Sequence, residues 1–371
     1  HSTAKKAEHE LTKIESAMKK FYDENTGFYV LGIRDNGEKL NYLTVMTAVA
    51  IYLDSIDFER SKCQVIPFAS GDFSTDWGVR IIGKNSGIYN PNGYHEGTVW
   101  PLFTGWVSLA EFKVGATLSA FSHLLSNLMN AKNFAKGYIS EVYHGEVYRP
   151  SGICPHQAWS ESMAIQPLID GMIGFVPDAP HSLVGLSPQF PWNINRFTAR
   201  NLKIGDTLLS LEFERRELSN GLWKEIYHVK CTKPLKILFS PWVPKQAEQI
   251  EVTARDSKVT FSTQEGIFTT KLAVSAFECD ELTVTVTYRL PFELRVIERE
   301  PVPFANSGSF RLIALNRIDK GYEIIAEASN TDEVMKNLQD VLKISDEKVT
   351  FRIDEIDKRE HIIFSIKTRQ S

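Results

Sequence analysis

Little in this 371-residue chain points to a metal, a cystine framework or a membrane. Its cysteines, Cys63, Cys154, Cys231 and Cys279, are scattered without the short pairs that hold zinc. Four in so long a chain make no disulfide scaffold, so they do not indicate a compartment. No apolar run approaches the ~20 residues that cross a bilayer. The opening His1-Ser2-Thr3, followed by charged residues, is not a signal peptide. A soluble protein is expected, cytoplasmic or periplasmic, with nothing in the residues to choose. Charge of one sign is also lacking: 42 Lys and Arg face 46 Asp and Glu, a net charge of −4. That balance carries no electrostatic footprint for nucleic acid. No His/Cys/Asp cluster has ligand spacing, so no metal or organic cofactor is expected. Neither a run of basic residues nor a Gly-rich helix start offers a phosphate pocket.

What is present is apolar residue in ordinary amount, 43%, enough for a sizeable core in two or three domains. The pattern breaks near residue 184. Before it, helical periodicity dominates. After it come short alternating runs, at 207 to 213, 226 to 229, 237 to 239, 267 to 272 and 282 to 288, with a turn signal at Ser219-Asn220-Gly221. From about 301 a smaller α+β unit follows, with strands near 310 to 315 and 322 to 328. A helix then runs from the cap Asn330, with Glu333 three residues on, to about Leu342, before strands near 348 to 354 and 361 to 367. The expected domains are therefore 1–183, 184–300 (mostly β, sandwich-like) and 301–371.

The helices of the first part alternate in character. Ala4, Ala7, Leu11, Ile14, Met18 and Phe21 make a one-sided helix with a wet face. The next, about 41 to 53, is apolar nearly all round (Leu43, Val45, Met46, Ala48, Val49, Ile51), as a helix buried on every side must be. A polar-faced segment follows at 58 to 68, an apolar helix at 99 to 112 with Trp100, Phe103 and Trp106, a mixed helix at 116 to 134, and another apolar one at 156 to 173. The order is outer, inner, outer, inner, outer, inner. Connections alternate in step. Inner-to-outer links are short, whereas outer-to-inner links, at about 22 to 40, 69 to 97 and 135 to 155, are long. In a ring of antiparallel helices the long loops gather at one end, where binding residues collect. Such concentric alternation predicts an (α/α) toroid, of which six helices are half. Half a ring would leave inner helices open to water, so a longer polypeptide or a second chain is expected to close it.

The long loops and the first turns after them hold the chemically distinctive residues. Tyr94-His95-Glu96-Gly97-Thr98-Val99-Trp100-Pro101 ends one loop; Gly137-Tyr138-Ile139-Ser140-Glu141 and Pro155-His156-Gln157-Ala158-Trp159-Ser160 occupy the next. Flat aromatic faces for pyranose rings and forked polar groups for hydroxyls are what a sugar cleft needs. Gln157 offers both donor and acceptor.

Together with Asp76-Trp77-Gly78-Val79-Arg80 upstream, these segments resemble the C-terminal half of the six-hairpin (α/α)6 glycosidases, over residues 20 to 175. The nearest likeness is to bacterial glycogen-debranching, amylo-α-1,6-glucosidase-like proteins, with the processing α-glucosidase and trehalase group behind them. The resemblance implies hydrolysis with inversion. One carboxyl protonates the leaving oxygen while the other activates a water on the opposite face, the pair held about 6.5–9.5 Å apart. It also implies that Glu141 is the base, and that the acid lies after a fifth helix that is absent from these residues.

Each residue has a plainer alternative. A loop glutamate is often merely solvated, and Glu146 stands five residues from Glu141. His95 caps a helix or binds sugar; Glu96 complements a helix N-terminus. Trp100 packs in the core or, on its first turn, faces the cleft. Asp76 and Arg80 pair with each other or touch sugar, and Asp76 competes for the carboxylate role. The residues assigned to substrate are Tyr94, His95, Trp100, His156, Gln157, Trp159, Asp76 and Arg80, with Glu141 catalytic. The expected function is an inverting α-glucosidase of the debranching type, feeble in isolation for want of its acid. The expected partners are an oligosaccharide or α-glucoside and the other half of the toroid. The alternative is a carbohydrate-binding or scaffold protein that does not cleave.

Overall fold

The computed structural model describes residues 2–152, 154–219, 221–319, 321–344, 349–358 and 362–370. The fold mixes helices with large sheets. Among the described residues α1 is Ser2–Phe21, α2 Thr47–Tyr52, α3 Phe58–Val65, α4 Pro101–Lys113, α5 Thr117–Asn130, α6 Ala158–Gln166 and α7 Thr331–Val341. No helix among these residues is long and apolar enough to cross a membrane.

Helix α4 is the hub. It packs against α2, α5 and α6, and nine of its thirteen residues are buried, as an all-round apolar sequence requires. Pro101 at its first position loses no hydrogen bond there and fixes the turn out of the extended Trp100. Helix α2 starts at Thr47, later than its apolar run suggests. Thr44 instead forms a β-bridge with Ile82, and the Val45 amide donates to Ile81 O, so tertiary pairing takes the residues that would have made the first turns. Beyond α6 the chain widens into a π-helical segment, Pro167–Met172, where a Cβ on Gly171 would stand 2.3 Å from the Phe112 ring. Helix α1 has no buried residue; Leu11 and Ile14 are 55% and 58% exposed.

The second part is built on an eight-stranded sheet. Its main path runs Ser257–Lys258, Glu248–Ala254, Ala276–Arg289, Leu222–Phe239, Thr207–Ser219, Arg196–Ile204. Leu183–Leu186 adds in parallel to Leu222–Phe239 and in turn pairs with Phe175–Asp178. Strict alternation in Thr207–Ser219 and Leu222–Phe239 turns Leu209, Leu211, Phe213, Tyr227 and Val229 inward. The predicted runs at 226 to 229 and 237 to 239 are one strand, bulged between Lys230 and Leu235, because the β-bulge lets it bend without ending. Asn220 of the predicted turn lies outside the described residues, but the strands it joins are paired from Ser219 to Leu222. A three-stranded sheet, Trp242–Pro244, Thr269–Val274 and Phe261–Glu265, shares the apolar cluster through Val243 and Leu272.

The last unit is a four-stranded antiparallel sheet, Arg311–Ile318, Gly321–Ala328, Ile362–Gln370 and Val349–Lys358, with α7. Residues 348 and 361 of the expected strands lie outside the described residues. Asn330 caps α7 as its position predicts, its Oδ1 accepting the Glu333 amide at 2.8 Å. The apolar cores cross the sequence breaks. Phe310, Leu315, Ile324, Val334 and Leu338 pack in one cluster with Phe68, Trp100, Val107 and Val114, and α5 contributes Phe121 and Leu124 to the core of the large sheet.

Candidate active site

Three loop segments are stitched edge to edge by isolated backbone bridges. Arg80 pairs with Val99, Val99 with Tyr143, and Tyr143 with Pro150. The Val99 and Tyr143 amides exchange bonds with each other's carbonyls at 2.9 and 2.8 Å, which sets Glu141, two residues before Tyr143, opposite the Tyr94 to Trp100 segment. Arg80 lies beneath, 4% exposed, with its Nε donating to Gly145 O at 2.6 Å and its Nη1 to Gly71 O and Ser74 O. Its guanidinium is spent on backbone carbonyls, so it holds the Glu141 loop rather than facing solvent.

Two glycines make this approach possible. A Cβ on Gly145 would meet Gly97 O at 2.4 Å and the Tyr89 hydroxyl at 2.7 Å; one on Gly97 would meet Asn90 O at 2.6 Å. Backbone oxygens cannot move aside as a flexible side-chain tip can. Gly145→Ala should therefore cost this chain ~1–3 kcal/mol in urea unfolding by overpacking. A change inside about 0.5 kcal/mol, the size of an ordinary surface substitution, would show that the loops are not clamped there.

Glu141 is half-buried, and both hydrogen bonds to its carboxylate fall on one oxygen. Tyr94 Oη donates to Oε1 at 2.8 Å and Gln157 Nε2 to the same atom at 3.4 Å; the Glu141 amide donates to Cys154 O. Among the described residues none donates to Oε2, which is left to accept from something else. The carboxylate in turn raises the Tyr94 phenol above its ordinary pKa, first by their hydrogen bond. Tyr94, 44% exposed, stands edge-on to Trp100 with ring centroids 4.6 Å apart, and Trp100 Nε1 donates to Tyr94 O at 2.9 Å. His95 stacks nearly parallel on Trp100 at 5.7 Å, and Trp159, 43% exposed, lies 6.3 Å from Trp100. Trp100 itself is 4% exposed. It therefore serves as the floor under Tyr94 and His95 more than as an open face. Gln157 is the N-cap of α6, its own amide held by Ile139 O.

His156 sits at the edge, 3.1 Å from Glu161 and 4.4 Å, ring to ring, from Tyr138. Tyr138, 48% exposed, is an aromatic face that sequence reasoning passed over, although it stands three residues before Glu141 in the same motif. Glu96 accepts from the His95 amide. Glu146 is turned to Tyr89 and Lys84.

Asp76 and Arg80 do not pair with each other, a correction to one sequence reading. The Asp76 carboxylate accepts from Gly308 N at 2.8 Å and faces Arg311 and Arg299 at 3.5 and 3.8 Å, partners from more than 200 residues away that no local spacing reveals. Among the described residues no three His, Cys, Asp or Glu side chains gather as a metal site.

Residues 71–166, which carry the bridged loops, α4, α5 and all of α6, match the family model described as Amylo-alpha-1,6-glucosidase. This segment resembles the amylo-α-1,6-glucosidases. The resemblance drawn from its motifs therefore holds over that span, and the relationship is to glycoside hydrolases. No curated protein matches the chain. Among solved structures, a GH63 mannosylglycerate hydrolase from Thermus thermophilus matches at 17% identity and TM-score 0.32, over 41% of this chain and 35% of that one. An α-L-rhamnosidase from Dictyoglumus thermophilum matches at 13% and 0.44, over 75% and 28%. A GH127 β-L-arabinofuranosidase from Geobacillus stearothermophilus T6 matches at 12% and 0.37, over 88% and 56%. The chain thus spans about a third of the length of the mannosylglycerate hydrolase.

Proposed function

We propose that residues 1–183 form the C-terminal half of an (α/α)6 toroid that hydrolyses an α-glucoside with inversion, in the manner of a debranching α-1,6-glucosidase. Residues 184–300 would form a sandwich-like β domain behind it, and 301–371 a small appendage. In this reading Glu141 is the general base. Its Oε1 is fixed by Tyr94 and Gln157, so the free Oε2 takes the proton from a water as that water attacks the anomeric carbon. Tyr94, His95, Trp159 and Tyr138 supply ring faces, with Trp100 behind them. The acid that protonates the leaving oxygen comes from outside these residues, on the half ring that completes the toroid.

The observation that carries the reading is the single carboxylate held by a tyrosine and a glutamine among exposed rings, inside the segment that matches the family. The packing of both α2 and α6 against α4, and the solvent-facing Leu11, Ile14, Leu53 and Ile165, support an unclosed ring. The test is proton NMR of an α-1,6-branched limit dextrin digested by the complete enzyme. β-Glucose should appear first and mutarotate later. α-Glucose appearing first would overturn inversion, and tight oligosaccharide binding with no glucose at all would leave the carbohydrate-binding reading in its place.

A further inference from the structure

Helix α6 begins without a side-chain cap. Its N-cap residue, Gln157, is extended and bonds none of the helix's own amides; its Nε2 is turned instead to Glu141 Oε1, at 3.4 Å. Glutamine is not among the residues that favour this position, where Ser, Thr, Asp or Asn would satisfy a free amide. The first turn is therefore oriented by something other than the usual cap, and the aim of Gln157 at the carboxylate depends on it.

His156 and Glu161 fill that role. They stand at the residue before the cap and at the fourth helical residue, the two positions that pack on each other in a hydrophobic staple and fix the angle at which the chain enters a helix. Here the staple is polar, with His156 Nε2 3.2 Å from Glu161 Oε2 and 3.1 Å from Oε1. An ionised carboxylate only accepts, so the imidazole proton belongs on Nε2. The negative charge of Glu161 is also favourable in the first turn, at the positive end of the helix.

The imidazole reaches across the joint as well. Its ring centroid is 4.4 Å from that of Tyr138, three residues before Glu141 on the facing loop. The two strips of chain are bonded through their backbones, Gln157 N to Ile139 O and Glu141 N to Cys154 O, and Cys154 Sγ donates to His156 O at 2.9 Å. His156 thus touches both pieces that Gln157 bridges: the loop that carries the carboxylate and the helix that carries the side-chain amide.

We propose that His156 and Glu161 are a positioning pair for Glu141, their contact setting the first turn of α6 so that Gln157 meets Oε1 and leaves Oε2 for the water. His156, assigned from the sequence to the substrate, acts in this account through Gln157 rather than on the sugar. The proposal rests on the reading of Glu141 as the general base. Both side chains are partly exposed, 55% and 34%, so the pair contributes little to the stability of the fold. A small misplacement of a catalytic group, by contrast, costs rate out of proportion to stability.

The test is steady-state kinetics of the complete enzyme on an α-1,6-branched limit dextrin, with Glu141→Gln as reference. Glu161→Leu removes the acceptor and should lower kcat about three- to tenfold, with KM within about twofold and the thermal midpoint within about 3 °C of the parent. His156→Ala breaks the contact from the other side and should match it, which keeps the test open if either variant fails to fold. Glu161→Gln retains an acceptor for Nε2 and should restore most of the rate. In a Gln157→Ala background, Glu161→Leu should cost nothing further, because no amide is left to aim. An unchanged kcat in both Glu161→Leu and His156→Ala, a loss that Glu161→Gln does not restore, or one that adds in full to that of Gln157→Ala, overturns the proposal. A raised KM at constant kcat also overturns it and returns the pair to the substrate. Full activity in Glu141→Gln would mark the failure of the base reading; an inactive Glu141→Gln beside a fully active Glu161→Leu would mark the failure of the positioning pair alone.

Discussion

Glu141→Gln in the complete enzyme should lower kcat for glucose release by about 10²–10⁴-fold, the range that a positioned general base contributes. The substitution is nearly isosteric. It keeps an acceptor for Tyr94 Oη and Gln157 Nε2 at the Oε1 position and removes only the capacity to take a proton. KM should therefore stay within a few-fold and thermal stability should not move, because the side chain makes no contact on which the fold depends. That split separates a lost proton acceptor from a disturbed cleft. Glu141→Ala with added azide sharpens the experiment, since a small anion that needs no deprotonation can replace water at the vacated position. Turnover of Glu141→Gln within a few-fold of the parent would remove this residue from the chemistry, and with it the proposed mechanism.

The largest effect on stability is expected at Glu225, far from the loops. It is 0% exposed in the centre of the large sheet. Its Oε1 accepts from Arg215 Nε at 2.8 Å and Tyr288 Oη at 2.6 Å, and its Oε2 from Tyr227 Oη at 2.7 Å. Arg215 completes the network by donating to the carbonyls of Phe190, Pro191 and Ile194 and lying 4.1 Å over the Trp192 ring. Burial, and then the Glu225 charge, push both tyrosines well above their ordinary pKa, so they remain donors. Glu225→Leu strands a buried cation and two phenols, and should cost about 3–5 kcal/mol in urea unfolding. The pair Arg215→Met with Glu225→Leu should recover most of that loss, because a buried ion pair contributes little beyond its apolar replacement. A single-variant loss below ~1 kcal/mol would mean that water reaches the site and the network is not sealed.

The elements were legible in the sequence where one local rule acted alone. The Asn330 cap with Glu333 three residues on placed α7 to within a residue, and the all-round apolar run from 99 to 112 placed α4, Pro101–Lys113, to within two. The Tyr94 to Pro101 and Gly137 to Ser160 segments were marked by their residue types. Local rules failed where distant chain competed for the same atoms. The pairing of Thr44 and Val45 with residues 81 and 82 shortened α2, and Arg299 and Arg311 claimed Asp76. Arg80, chosen as a sugar contact, turned inward because three carbonyls, one of them 65 residues away, offered it a better-satisfied burial.

By itself, then, the sequence determined where most helices and strands lie, that α4 is buried nearly all round, and which loops carry aromatic and acidic groups, since periodicity and residue chemistry are properties of neighbours along the chain. The all-round burial expected of the 41 to 53 helix was not met, α2 burying only Ala48 and Ile51. Only the tertiary structure decided which oxygen of Glu141 Tyr94 and Gln157 hold, that Trp100 is a floor and Tyr138 a face, and that Arg299 and Arg311 face Asp76. Those outcomes depend on distances between residues tens to hundreds of positions apart, fixed by packing and by the need of each buried polar atom for a partner.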